Sequence, residues 1–498
     1  MESNTTILFY GLLASAAVVY LARWYKERRS TNVPAIGPTA PLLSYWGAVR
    51  FMLWAQDMLE EGHVKYSGRP FRIRIAHHWH YIVSTRQLVD ELRRAREDEL
   101  SFVAAATETL QIEYTLGKAV VYNMYHLPIV RTTLPRNMGK LYATMHDEIC
   151  VAFKDSVPAN DDWTSAPALD TMMQIVARTS ARVIVGLPLC RNSEMLDVII
   201  NFTVDVVTTG IFLSVIPGFM RPLAKATVSR VDGMIDRALV LLRPVMDYRR
   251  TMAEKHGEDW PGKPNDMLQW LMDAAEDEER EPRALATRFL LICFVSIHTT
   301  AVTLTQALYR LAANPEYASP LREEIANVVA EEGWSKAALQ KMRKLDSFFR
   351  ECQRMDGVTC LFMIRKAVKD FTFSDGTTVP AGSYVSTSAA ATHGEEAYYD
   401  APHLFDPWRF SRLREEPAQS AKHQMVNTSL EYLAFGLGQH ACPGRFFAAS
   451  ELKTMLAHLV MNYDVRTETP GVIPPAMHVS NVVVPNRTAK VLFRKRRE

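Results

Sequence analysis

The run Phe435-Gly436-Leu437-Gly438-Gln439-His440-Ala441-Cys442-Pro443-Gly444 presents one cysteine from a glycine-rich loop, and a helix-like Arg445-Phe-Phe-Ala-Ala-Ser-Glu-Leu-Lys follows it. A thiolate held in this way suits axial ligation of a haem iron. Gly436 and Gly438 let the backbone turn tightly and approach a flat macrocycle. Pro443 has no N–H to offer the sulfur. The N–H groups of Gly444 and Arg445 remain available at a helix start, where free donors and the positive dipole end favour a negative sulfur. Bonds of that kind tune how strongly a thiolate pushes electron density onto a metal. The competing reading is a small core cysteine in a turn before a helix.

Two further constellations stand earlier in the chain. Glu351-Cys-Gln-Arg354 places an acid and a base three residues apart on one helix face. Taken alone, that pair reads equally as a surface ion pair. Arg409 follows in Pro402-His-Leu-Phe-Asp-Pro-Trp-Arg-Phe410. The segment from Phe289 to Leu308 is apolar almost all round, which marks a buried or membrane-spanning helix. His298, Thr299, Thr300, Thr303, Thr305 and Gln306 within it argue for burial.

The elements that must position these residues are mostly helical. Phe71-Arg-Ile-Arg-Ile75 and Tyr81-Ile-Val83 alternate as short strands do. Residues 158–165 and 256–264 read as surface loops. Asp266 caps a helix running through Leu268-Gln-Trp-Leu-Met272. The acidic run Glu276–Glu281 reads as a solvated loop. Asp375-Gly376 and Pro380-Ala-Gly382 mark turns. A chain of 498 residues with 48% hydrophobic and 22% charged residues can bury a large interior. A net charge of +2 argues against nucleic acid as a partner. The 6 cysteines (150, 190, 293, 352, 360 and 442) suggest neither a disulfide framework nor a zinc site, as expected of a protein facing the cytosol.

Ser3 to Ala22 carries no charge, and Arg23, Lys26, Arg28 and Arg29 follow. Such a run reaches about 30 Å as a helix, enough to cross a bilayer core. The basic flank predicts a lumenal N-terminus and a cytosolic bulk. A cleaved signal peptide is the competing reading, disfavoured by the missing basic n-region. The expected organisation is an anchor and its flank over 1–30, a proline-rich hinge over 31–38, and one domain over 39–498.

The cysteine loop resembles the haem-binding signature of cytochrome P450 monooxygenases, with Phe435, Gly438, His440, Cys442 and Gly444 on pattern. The resemblance covers about residues 34 to 498 through four ordered motifs. It implies a mainly α fold with small β-sheets, preceded here by one transmembrane helix. It implies haem b, iron-protoporphyrin IX, ligated by Cys442, with Phe435 and Gly436 also against it. Arg131 and His440 would meet the haem propionates, with Arg365 a further candidate; each could instead be a surface charge. Glu351, Arg354 and Arg409 would form a structural network holding the cysteine loop. Thr299 would hydrogen-bond bound dioxygen. Ser296 and His298 fill places where the family has a small residue and an acid. His298 titrates near neutral pH and would relay protons in place of that acid, unless it is a hydrogen-bonded core histidine. Phe294, Ser296, Ile297, Val358, Thr359, Leu361 and Met363 would wall the substrate pocket, with loop residues between Ser101 and Tyr125.

The Ile-His-Thr-Thr helix and the segment Pro128-Ile-Val-Arg-Thr-Thr-Leu134 look most like fungal P450s of the ent-kaurene-oxidase-like group. That likeness implies hydroxylation of a hydrophobic substrate, a terpenoid of secondary metabolism, at the endoplasmic reticulum membrane. Dioxygen and electrons from NADPH, delivered by a separate NADPH–cytochrome P450 reductase, would drive it. Two other readings stay open: a thiolate-haem isomerase or dehydratase that needs no reductase, and a membrane-anchored haem protein without turnover.

Overall fold

A computed structural model describes residues 32–40, 42–416 and 418–496, together with Val18. The anchor expected over Ser3–Ala22 otherwise lies outside the described residues. The helices used below are α1 (Ser44–Tyr66), α2 (Leu134–Ser156), α3 (Ala168–Ile184), α4 (Ser193–Val215), α5 (Val231–His256), α6 (Pro282–Ala313), α7 (Arg343–Met355) and α8 (Arg445–Asn462).

α6 is the central element. Pro282 sits in its first turn, where a missing N–H costs nothing. Asn314 leaves the helical region at its end and Pro315 follows, which bars continuation. α6 packs along α3, α3 along α2, α2 along α8, and α8 back against α6. Met145, Ile149, Phe153, Ile175, Phe289, Leu308 and Leu456 are all fully buried between them. Each such side chain contributes about 1.5–3 kcal/mol of burial, so this bundle is the rigid frame. α4 and α6 are also the two described helices long and apolar enough to cross a membrane, and α6 is mostly buried inside the protein.

A six-stranded sheet covers one side. Its strands are β1 (Ala35–Ile36), β2 (Phe71–Ile75), β3 (His78–Ile82), β4 (Leu100–Ser101), β5 (Leu361–Ala367) and β6 (Tyr384–Ser388), in the order β1-β2-β3-β6-β5-β4. Ala35 and Ile36 pair with Arg72 and Ile73, so the proline-rich segment enters the fold instead of standing apart as a hinge. The β5–β6 register shifts between Phe362 and Arg365, and Met363 there has φ +56. A bulge of this kind re-aims the side chains beyond it.

Two local expectations meet the structure differently. The Asp266 side chain accepts from the Gln269 N–H at 2.8 Å and caps the helix Met267–Ala274. The acidic run is not a solvated loop throughout: Glu279 is buried and accepts from Arg288 Nε at 2.9 Å. The buried Arg288 demands that counter-charge, which overrides the polarity of the run.

Candidate active site

The cysteine loop is closed by its own backbone. The Cys442 N–H donates to Phe435 O at 2.7 Å, and the Gly436 N–H donates to Leu433 O at 2.8 Å. Gly436 and Gly438 have φ +69 and +74, where a side chain is strained. At Gly438 a Cβ would also stand 2.8 Å from Arg93 Cγ. Cys442 is half-buried. Burial pushes its thiol pKa up, while the Gly444 N–H, the Arg445 charge and the Arg445 N–H pull the other way. α8 begins at Arg445, so these donors are the unpaired N–H groups of a helix start. The arrangement is built to hold a negative sulfur once a cation compensates its burial.

Basic groups gather beside this loop. Arg365 is only 4% exposed, and its guanidinium has no carboxylate in ion-pair range among the described residues. It donates to Ile364 O at 2.9 Å and lies 5.5 Å from the Phe102 ring centroid. Burial lowers its pKa to about 10, against the pull of Glu97. His440 Nε2 stands 3.0 Å from Glu97 Oε2, and its ring is 5.2 Å from Phe102. The His440 pKa is lowered by burial, then by Arg365, with Arg131 adding to this and Glu97 opposing it. Arg131 Nη2 donates to Gln439 O at 3.3 Å. The structure thus brings Arg131, Arg365 and His440 together around one edge of the loop.

α6 opens a stripe in the middle of an otherwise buried helix. Val295 is 52% exposed, Thr299 is exposed, and Phe294, Ser296 and Val302 are half-buried. Val295, Thr299 and Val302 follow the i, i+4, i+7 spacing of one helix face. Thr299 Oγ1 donates to Val295 O at 3.2 Å, and Ser296 Oγ to Ile292 O at 2.8 Å. Ile297 does not line this stripe. It lies about 200° around the helix from both Val295 and Thr299, and it is fully buried in the main core. His298 is committed elsewhere: its Nε2 donates to Ile200 O of α4 at 2.8 Å. Burial lowers its pKa, opposed by the Ile200 bond and aided by Arg487.

The other expected wall residues divide. Leu361 packs among Ile36, Phe51 and Met58, and Met363 among Trp79, Tyr81 and Leu433, both buried in apolar clusters. Neither is open to a pocket, because the bulged strand turns both into the sheet's packing. Val358 and Thr359 are half-buried. Val358 O accepts from the Val483 N–H at 3.1 Å, and Thr359 Oγ1 donates to Asn481 O at 2.9 Å.

Behind the loop lies a buried charge network. Glu351 is fully buried and accepts from Arg354 Nη2 and Nε at 2.7 and 2.8 Å. Arg409 Nε donates to the same carboxylate at 3.2 Å, and the Asp406 N–H at 3.1 Å. Arg354 Nη1 also donates to His393 O and Pro402 O at 2.8 and 2.7 Å. His393 was not among the residues expected from sequence. Its Nε2 accepts from the Leu433 N–H at 3.0 Å, so its proton is on Nδ1, which donates to Arg354 O at 3.1 Å. Burial lowers its pKa to about 3 and holds it neutral. Leu433 O in turn holds Gly436, so the network reaches the cysteine loop through His393. Only the lone histidine in Thr392-His-Gly394 could have signalled it.

The cytochrome P450 family model matches residues 36–493. The chain belongs to the cytochrome P450 family. It is 41% identical to cytochrome P450 monooxygenase 103 of Postia placenta, over 99% of both chains. It is 34% identical to cytochrome P450 monooxygenase CYP512U6 of Ganoderma lucidum, over 98% of this chain and 96% of that one. The solved structure titled retinoic acid bound cyanobacterial CYP120A1 superposes with a TM-score of 0.70, covering 94% of this chain and 100% of that chain at 19% identity, a likeness of fold. The protein is therefore a P450 monooxygenase with fungal relatives, a mainly helical P450 fold with small sheets, and the family's use of haem, dioxygen and a redox partner.

The residues present fit a haem. A P450 haem needs a thiolate aimed by N–H donors, cations for two carboxylates, and an open face on a rigid helix. Cys442 with Gly444 and Arg445 meets the first need. Arg365, a buried cation without a carboxylate of its own, meets the second together with Arg131 and His440. The stripe at Phe294, Val295, Ser296 and Thr299 meets the third.

Proposed function

We propose that this P450 hydroxylates a terpenoid-class hydrophobic substrate, with electrons from a separate NADPH–cytochrome P450 reductase. We further propose that the uncharged run Ser3–Ala22 anchors it as a single pass in the endoplasmic reticulum membrane, with residues 39–498 cytosolic. The observation that carries the reading is the stripe on α6, where a free-standing threonine and a serine lie among apolar side chains. An apolar wall with few polar groups suits a greasy substrate. When bound, the haem supplies the dioxygen activation and the oxidising power.

The chain's own residues divide the remaining work. Cys442 ligates the iron, and Phe435, Gly436 and Gly444 shape the surface against it. Arg131, Arg365 and His440 take the propionates. Phe294 and Val295 exclude water beside the reacting carbon. Thr299 Oγ1, held only by a 3.2 Å bond to Val295 O, can turn and hold a proton toward the open face. His298, bonded to Ile200 O, acts as a tether between α4 and α6 and not as the proton relay. Glu351, Arg354 and Arg409 keep the cysteine loop in place.

The test is a coupled assay of NADPH loss, peroxide and product, with a fungal reductase and a panel of terpene precursors. Thr299→Ala should keep haem but divert reducing equivalents to peroxide while product falls. Equal product per NADPH in Thr299→Ala and wild type would remove the threonine's role. Turnover without NADPH or dioxygen would replace the monooxygenase reading with an isomerase or dehydratase. Haem binding with no turnover of any precursor would leave the non-catalytic reading.

A further inference from the structure

A cavity of about 350 Å3 lies away from the cysteine loop, between α1, the C-terminal half of α6, residues 355–362 and residues 473–485. Cys442, Thr299, Phe294 and Ser296 are not among its lining residues. Its size falls in the range of small-molecule sites, about 300–1,000 Å3. Leu59, Met355, Phe362 and Val483 give it apolar walls.

Its polar groups are unevenly satisfied. The charges are already paired: Arg310 donates to both Asp356 oxygens at 2.6 and 2.7 Å, and Arg354 is held by Glu351. Gln306 is different. It is 6% exposed, lines the cavity, and its Nε2 has no hydrogen-bond partner. His478 lines the same cavity, and its buried Nδ1 is also unpartnered. Buried amide N–H groups are rarely left unpaired, because desolvation without a bond is costly. Gln306 offers a donor, so its partner must offer an acceptor oxygen. With the charges neutralised in pairs, the partner carries no net charge.

We propose that this cavity is a second binding site, separate from the active site, for a small uncharged amphiphile: an apolar ring or short chain bearing one hydroxyl or carbonyl that accepts from Gln306. The site adjoins residues that brace one another. The Cys360 N–H and Thr359 Oγ1 both donate to Asn481 O, at 3.0 and 2.9 Å. An occupant therefore packs against the segment that leads from α7 into β5.

The experiment uses the full-length haem-loaded protein with its active site blocked by clotrimazole, an azole that coordinates the iron. Cyclohexanol is the probe and methylcyclohexane its comparator, followed by saturation-transfer NMR titration. Cyclohexanol should bind the azole-loaded protein. Gln306→Leu should weaken it about tenfold, the effect of one lost hydrogen bond, and leave methylcyclohexane unchanged. Ala476→Trp, at the exposed rim, should fill the cavity and abolish binding of both without touching the packed interior. Displacement by the azole overturns the proposal, as does the absence of cyclohexanol binding to wild type, which would mean that water alone fills the space. A normal affinity in Gln306→Leu overturns the polar contact, and normal binding in Ala476→Trp overturns the location.

Discussion

Removing the Glu351 carboxylate should destabilise the whole domain. Four contacts converge on it: two from Arg354, one from Arg409 and one from the Asp406 N–H. Without it, two guanidiniums remain in a buried site. Arg354 keeps His393 O and Pro402 O, and Arg409 keeps Asp400 O and Leu404 O at 2.6 and 3.1 Å. Breaking a buried pair by deleting one partner costs about 3–5 kcal/mol. The retained carbonyl contacts place Glu351→Gln near the lower end, at about 3 kcal/mol, and Glu351→Ala near the upper, because alanine adds a cavity. Domain stabilities are about 5–15 kcal/mol, so the alanine variant should purify with little haem or aggregate. The assay is urea denaturation by circular dichroism together with haem content per chain. Combining Glu351→Gln with Arg409→Gln should cost less than the two single changes summed, since both remove one shared contact. A soluble Glu351→Ala with wild-type midpoint and full haem would refute the reasoning.

Four further outcomes follow. Cys442→Ala should abolish the red-shifted Soret band of the ferrous–CO complex, which requires a thiolate; a surviving band would move the ligand elsewhere. His298→Ala should loosen α4 from α6 and raise KM for substrate more than it raises peroxide release; a rise in peroxide at unchanged KM would restore the proton relay. Lowering the pH should detach the cysteine loop through His393. Its folded pKa of about 3 lies below the ordinary 6.5, so its contribution is full above pH 6.5 and is lost as pH falls toward 3. A thiolate spectrum unchanged to pH 3 would contradict this. Deleting residues 1–30 should release much of the protein from microsomes while the haem spectrum persists, and a mature N-terminus trimmed near Ala22 would favour a cleaved signal.

The cysteine loop was legible because its glycines and proline are positional demands. Gly438 has no room for a Cβ beside Arg93, so the residue type itself reports the geometry. Glu351 and Arg354 were legible in spacing, since i and i+3 share a helix face, but their burial was not. Arg365 was a weak sequence signal beside Asp356-Gly357. The bulge near Met363 and the packing on Phe102 decide where it sits, and both arise from strand pairing across distant segments. The phase of α6 was misread at Ile297. A helix that is apolar all round carries little amphipathic signal, so only Ser296 and Thr299 betray which face is open.

His393 shows why one link escaped. Its partners are Arg354, 39 residues before it, and Leu433, 40 residues after it. No local pattern joins the three. Yet the histidine is what converts a charge network into a support for the thiolate. Its Nδ1 proton fixes it to Arg354 O, and its free Nε2 then has to accept, which selects the Leu433 N–H. Leu433 O holds Gly436, and the loop closes at Phe435 O on the Cys442 N–H. Each step fixes the orientation of the next, so the cysteine's aim depends on a neutral imidazole in one tautomer. A glutamine at 393 can donate and accept at once but spans a different distance. His393→Gln should therefore keep the fold's midpoint near that of wild type while shifting or broadening the ferrous–CO band. If instead the band is unchanged and only stability falls, His393 packs the interior and does not position Cys442.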